Sequence, residues 1–188
     1  MERNKLYPPV IKLSLGKQIW RAGFIMEVSV YEKFPDCAKE IREAVFVKEQ
    51  GFQHEFDSID DTAVHLVMFD EDGKPAATCR VFWDEEMGSY AIGRLAVVKK
   101  YRGRNIGADM VREAERYVKR KGGKDIILHA QCRAKGFYKK MGFAEFGDIE
   151  NDEGCPHIWM KKVIGPDRYS PLSMNSVRST VFPYRILR

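Results

Sequence analysis

A chain of 188 residues, 44% of them hydrophobic, is long enough for one domain with appendages and apolar enough for a single sizeable core. No apolar run approaches the ~18–20 residues that span a bilayer, and Lys12 and Lys17 interrupt the apolar stretches before Ile25 that a secretory leader would need. The net charge of +5 sits in the ends: residues 1–25 and 164–188 hold nine of the 32 basic and two of the 27 acidic side chains, leaving 23 against 25 in residues 26–163. That near-neutral middle argues against a nucleic-acid or membrane-surface partner. Cys37, Cys79, Cys132 and Cys155 are dispersed, with no CxxC pair, which fits reduced thiols in the cytoplasm better than a disulfide framework or a zinc site.

Along the chain, Tyr7-Pro8-Pro9 opens a stretch without sustained periodicity, and residues 1–25 read as an irregular extension. Glu27–Tyr31 alternates like a strand. Pro35-Asp36 starts a helix, with Asp36 as its N-cap, and Cys37, Ile41, Ala44 and Val45 share one face before Gly51 ends it. An acidic loop, Glu55–Asp61, precedes two apolar runs, Val64–Phe69 and Ala76–Trp83, joined by a hairpin turn with Asp72-Gly73. Ser89–Val98 is the next strand. The period then changes: Ile106, Met110, Ala114 and Val118 define a helix that stops at Gly122-Gly123. A short strand (Asp125–Ala130), a short helix (Arg133–Lys140) and a last strand (His157–Val163) follow, and residues 164–188 read as an irregular tail. This order predicts an α+β fold with a mixed, mostly antiparallel sheet and helices on both faces.

The richest stretch runs from Leu95 to Ala108. A strand ends, a turn of Arg102-Gly103-Arg104-Asn105 follows, and a helix begins at Ile106-Gly107-Ala108. The first amides of a helix lack internal partners and its dipole favours negative charge there, so the segment suits a pyrophosphate, with Arg102 and Arg104 as further donors. An ordinary basic surface turn is the competing reading. It is neither a Walker loop nor a GxGxxG fingerprint.

These residues resemble the GNAT acetyl-CoA signature, Arg/Gln-x-x-Gly-x-Gly/Ala, matched at Arg102 and Gly107, with Asn105 standing where the middle glycine usually sits. Asn tolerates the left-handed conformation best among non-glycine residues. Ala134, Phe137-Tyr138 and Gly142-Phe143 are similar to the family's second element. The run Arg42–Gln50, then Glu55, Asp57, Asp61 and His65, resembles a small bacterial subgroup, as does the Gly154–Met160 ending. The resemblance spans residues 26–163, delimited as the acetyltransferase domain. It implies a splayed cleft between the strands at Leu95–Val97 and Ile127–Ala130. Pantetheine would lie along Leu95, Ala96 and Val97, the pyrophosphate on the turn from Arg102 to Ala108, and Val97 N–H would serve as the oxyanion donor.

Acyl transfer to an amine further needs a fate for the thiolate and a base for the ammonium. The resemblance sets Tyr138 beside the leaving sulfur, with simple helix packing as its plain alternative. Glu49 and His129 lead the candidate bases, ahead of Glu55, Asp61, His65 and His157; each alone is more readily a structural or solvent-facing residue. The implied co-substrate is acetyl-CoA, the partner a small primary amine of open identity, and no metal is expected. A homodimer and a catalytically silent acyl-CoA-binding regulatory module stay open as alternatives.

Overall fold

The structure, a computed structural model, describes residues 19–21 and 24–165. Its antiparallel half contains β1 (Ile19–Arg21), β2 (Phe24–Tyr31), β3 (Val64–Phe69), β4 (Pro75–Asp84) and β5 (Ser89–Val97), each paired with the next. Strand β6 (Asp125–Gln131) joins β5 in parallel, and β8 (Cys155–Val163) lies between β6 and β7 (Ala144–Asp152), antiparallel to both. Among the described residues the sheet order is β1-β2-β3-β4-β5-β6-β8-β7.

Side-chain alternation divides the core between the two faces. Val28, Val30, Leu66 and Met68 meet α3 (Ile106–Arg120), whose Met110, Val111, Ala114 and Val118 are fully buried. Tyr31 and Val67, one step out of phase, face α1 (Asp36–Arg42) and pack with Cys37, Ala38 and Ile41. Each fully buried apolar side chain of this size contributes about 1.5–3 kcal/mol, so the parity of β2 and β3 holds a helix on each face. Gly123 makes the close return from α3 to β6: a Cβ there would lie 2.3 Å from Val118 and 2.9 Å from Tyr90.

The fold class and the elements β3, β4, β5, α3 and β6 agree with the sequence reading. Several local features differ. Asp36 is the first helical residue, after an N-cap at Pro35, and its acid favours the helix start through the dipole. The helix does not simply run on; Glu43–Glu49 continues it as a π-helix until Gly51 turns left-handed at φ +83°. The acidic loop contains a one-turn helix, α2 (Ile59–Thr62). The short helix after β6 is a 3-10 turn, Cys132–Ala134, leading into α4 (Lys135–Lys140). Strand β7 is absent from the sequence reading, because an edge strand of mostly exposed polar residues shows no apolar alternation.

At the boundaries, β2 begins at Phe24 rather than Glu27, and the extension expected to be irregular contains β1, too short for a period to show. Ile164 is buried and its amide donates to the Lys124 carbonyl at 2.8 Å, so the packed unit extends past residue 163. Residues 1–18, 22–23 and 166–188, which include most of the expected irregular ends, lie outside the described residues.

Candidate active site

A bulge opens the sheet. Strands β5 and β6 pair only at Tyr90↔Ile126 and Ala91↔Ile127. Between Thr78 and Arg80 the β4–β5 ladder slips, so Arg94 and Leu95 together oppose Cys79, and Arg94 takes φ +53°. An extra residue bends and twists its strand, and beyond Ala91 the two strands part. The resulting cleft, about 640 Å³, is lined on one side by Ile92–Val97 and on the other by Leu128–Gln131. Among the predicted site residues it brings together Glu49, Leu95, Ala96, Val97, Arg102, Gly107, His129 and Tyr138.

The predicted phosphate turn follows β5. Asn105 sits just before α3 at φ +61°, ψ +12°, the left-handed conformation that its place in the signature demands. The first intrahelical bond runs from the Asp109 amide to the Asn105 carbonyl at 3.0 Å. The amides of Ile106, Gly107 and Ala108 precede it and have no helical partner. Gly107 lines the cleft, and a Cβ there would stand 3.6 Å from both Val97 and Phe137. These features fit a pyrophosphate: free amides, a helix N-terminus and little side-chain bulk.

Arg102 does not point at that turn. Its Nε donates to the Val97 carbonyl at 2.9 Å, and its terminal nitrogens hold both oxygens of Glu49 at 2.5 and 2.8 Å. The Arg102 hydrogen bonds keep the Glu49 carboxyl below the usual range, which makes it a weaker proton acceptor. Gln50, the next residue, accepts at Oε1 from Gln131 at 3.1 Å and Arg133 at 2.5 Å. The turn between β7 and β8 closes the same end: Glu153 accepts from the amides of Gln53 and His54 at 2.8 and 3.0 Å.

His129 lies on β6, stacked on Trp159 at 4.6 Å and tilted against His157 at 5.0 Å. Burial first, then His157, lowers its pKa below the usual histidine value, so the ring is neutral at pH 7. Its Nε2 is buried without a hydrogen bond, and the Glu150 carboxylate stands 3.6 Å away. Tyr138 packs against Phe137 and Phe143. Burial, followed by the nearby Cys79 thiol, pushes its phenol well above the usual value. His157 also lines the cleft, with Nδ1 bound to the Cys155 carbonyl at 2.9 Å. His65 lies outside the lining, its Nε2 on the Asp60 carbonyl and its ring stacked on Phe34, and Asp61 is exposed elsewhere.

The sequence reading did not foresee the ionic cluster beside the cleft, which Glu55 and Arg94 both line. Buried Arg42 binds Glu55 at 2.6 Å and Asp60 at 2.6 and 3.0 Å. Buried Arg80 binds Asp57 and Asp60, and Arg94 reaches Glu55 and Asp57. Burial raises the Glu55 carboxyl against the pull of Arg94 and Arg42. Asp60 is also buried, yet hydrogen bonds from Arg42 and Arg80 bring it to about 2. The cluster gives Arg42, Glu55 and Asp57 a shared structural role beside the cleft. An arginine on an otherwise apolar helix face, Arg42 beside Ile41, was the available signal.

Among the described residues no group of three or more His, Cys, Asp or Glu could hold a metal ion, and no helix is long and apolar enough to cross a membrane. The sequence profile of the acetyltransferase (GNAT) domain matches residues 30–164. YjcF of Bacillus subtilis (strain 168), described as an uncharacterized N-acetyltransferase, is 34% identical over 125 residues, 65% of this chain and 87% of its own. The Escherichia coli ElaA crystal structure superposes with a TM-score of 0.61 at 26% identity, covering 68% of this chain and 88% of that one. An acyl-CoA N-acyltransferase from Pseudomonas aeruginosa shares the fold at a TM-score of 0.65 and 21% identity, covering 73% of this chain and 99% of that one. Members of the matched family transfer acetyl groups from acetyl-CoA to amines. The chain belongs to the GNAT acetyltransferase family and is an acyltransferase.

Proposed function

We propose that the protein transfers the acetyl group of acetyl-CoA to a primary amine of a small acceptor. One observation carries this reading: the β5–β6 splay, Gly107 at the start of α3 behind left-handed Asn105, and Tyr138 all border one cleft. The strand segment Leu95, Ala96 and Val97, which lines the cleft, would hold the pantetheine, and the amide of Val97 would face the developing oxyanion. The turn Arg102-Gly103-Arg104-Asn105 and the amides of Ile106, Gly107 and Ala108 would hold the phosphates.

Tyr138 would donate a hydrogen bond to the departing sulfur. A phenol raised above its ordinary value is a poor proton donor to a thiolate whose acid has a pKa of about 8.5, but still a sound hydrogen-bond donor. His129, neutral and without a hydrogen bond at Nε2, where the Glu150 carboxylate stands 3.6 Å away, would accept the ammonium proton. Glu49, the other candidate base, is bound by Arg102 at both carboxylate oxygens.

The test is a panel of amines (amino acids, amino sugars, polyamines and peptide amines) with acetyl-CoA and purified protein, following free thiol release. Amine-dependent release is expected. CoA binding with no release across all four classes would favour a silent acyl-CoA module instead.

A further inference from the structure

Arg102 is gripped from two directions, by the Val97 carbonyl and by both oxygens of Glu49. The partners belong to different walls of the cleft: Glu49 ends the π-helix, and Arg102 opens the turn into α3. Gln50 reaches the remaining wall, at Gln131 and Arg133. Two consecutive residues therefore clasp both arms of the open V. A π-helix is a rare geometry, frequent at functional sites, and here it ends with Glu49 and Gln50 both lining the cleft.

A guanidinium placed this way has two claimants. Its present partner is weak, since both ends of the pair are well exposed, 38% for Arg102 and 40% for Glu49, and water screens them. The competing ligand would be a polyphosphate on the adjacent turn, with more charge than one carboxylate and the geometry arginine binds best. Lys99 and Arg133 also draw on the Glu49 charge, but among the described residues neither forms an ion pair with it.

Building on the acetyltransferase reading, we propose that the pyrophosphate of the coenzyme takes Arg102 from Glu49, so that coenzyme binding turns Glu49 from an ion-pair partner into an unpaired carboxylate on the cleft wall, available to the ammonium of the acceptor. While the pair holds, Arg102 neutralises this carboxylate, and Glu49 adds its charge to the cleft when the acyl donor is in place.

Calorimetric titration of CoA into the full-length wild type, Glu49→Gln, Arg102→Ala and the double variant tests the exchange. Removing the competitor should tighten CoA binding by about two- to fivefold, the equivalent of an exposed ion pair. In the Arg102→Ala background the same change should do nothing, because the effect passes through that arginine. Unchanged or weaker binding by Glu49→Gln would overturn the exchange. Equal tightening in both backgrounds would overturn it too, by reducing the effect to simple repulsion between carboxylate and phosphate. If the wild type does not bind CoA at all, the acetyltransferase reading falls with it, a result distinct from CoA binding that ignores Glu49. A carbon-13 titration of the Glu49 carboxyl gives the second readout: saturating CoA should move its pKa upward, and no movement would contradict the release.

Discussion

Tyr138 lines the cleft from a bed of aromatic rings, and burial with the nearby Cys79 raises its pKa above the ordinary phenol value. Full proton transfer from an ordinary phenol to a thiolate is already uphill by ~1.5 units, roughly 2 kcal/mol, and the raised pKa widens that gap. Tyr138→Phe should therefore lower kcat by roughly tenfold, about 1.4 kcal/mol, with the KM for acetyl-CoA nearly unchanged. Steady-state kinetics with an accepted amine reads this directly. A loss of ~10²–10⁴-fold would mean true general acid catalysis instead, and an unchanged kcat would remove Tyr138 from the mechanism. Tyr138 was identifiable because it sits in a local motif beside Phe137. The engagement of Glu49 was not, since its partner Arg102 lies 53 positions away and the two meet only in the folded chain.

At the scale of elements, the arginine cluster ties α1, the 55–62 segment and the β5 bulge into one unit. Replacing Arg42 by Met removes one of two arginine partners from each of buried Glu55 and Asp60, leaving Arg94 and Arg80, and the expected destabilisation is about 3 kcal/mol by urea unfolding. A change below about 1 kcal/mol would show that the cluster relaxes or hydrates. The cluster also predicts a pH dependence. Asp60 has a folded value of about 2 against an ordinary 3.8, so its contribution is fully present above about pH 4 and is lost as the pH falls through 2. The raised Glu55 acts in the opposite sense, because its burial opposes ionisation. The stability gap between wild type and Asp60→Asn should accordingly narrow by about 2 kcal/mol between pH 5 and pH 2; a constant gap would contradict the assignment. Helical and apolar-strand periods made α3, β3 and β4 readable from the sequence, and the signature made Asn105 readable as left-handed. The π-helix was hidden, because its first turns carry the same apolar spacing as an α-helix. Polar β7 offered no period at all.

For the whole molecule, two motifs in order, one at Arg102–Gly107 and one at Phe137–Phe143, made the cleft legible, while the packed boundary was not. Ile164 is buried against the core just past the last strand, a single residue with no pattern around it. We propose residues 24–165 as the folding unit. That fragment should unfold cooperatively and bind CoA as the full chain does, whereas ending at residue 163 should cost about 1.5–3 kcal/mol through loss of Ile164. Equal stability of the two fragments would place Ile164 outside the energetic core. The account as a whole depends on a coenzyme seat at the N-terminus of α3. Its most direct test is calorimetry of CoA with the wild type and Arg102→Glu at low and moderate salt. The account predicts saturable one-to-one binding by the wild type, moderately weakened by salt, and strong weakening in the variant, where a carboxylate faces the phosphates. No binding at millimolar CoA, or equal binding by both proteins, would contradict it.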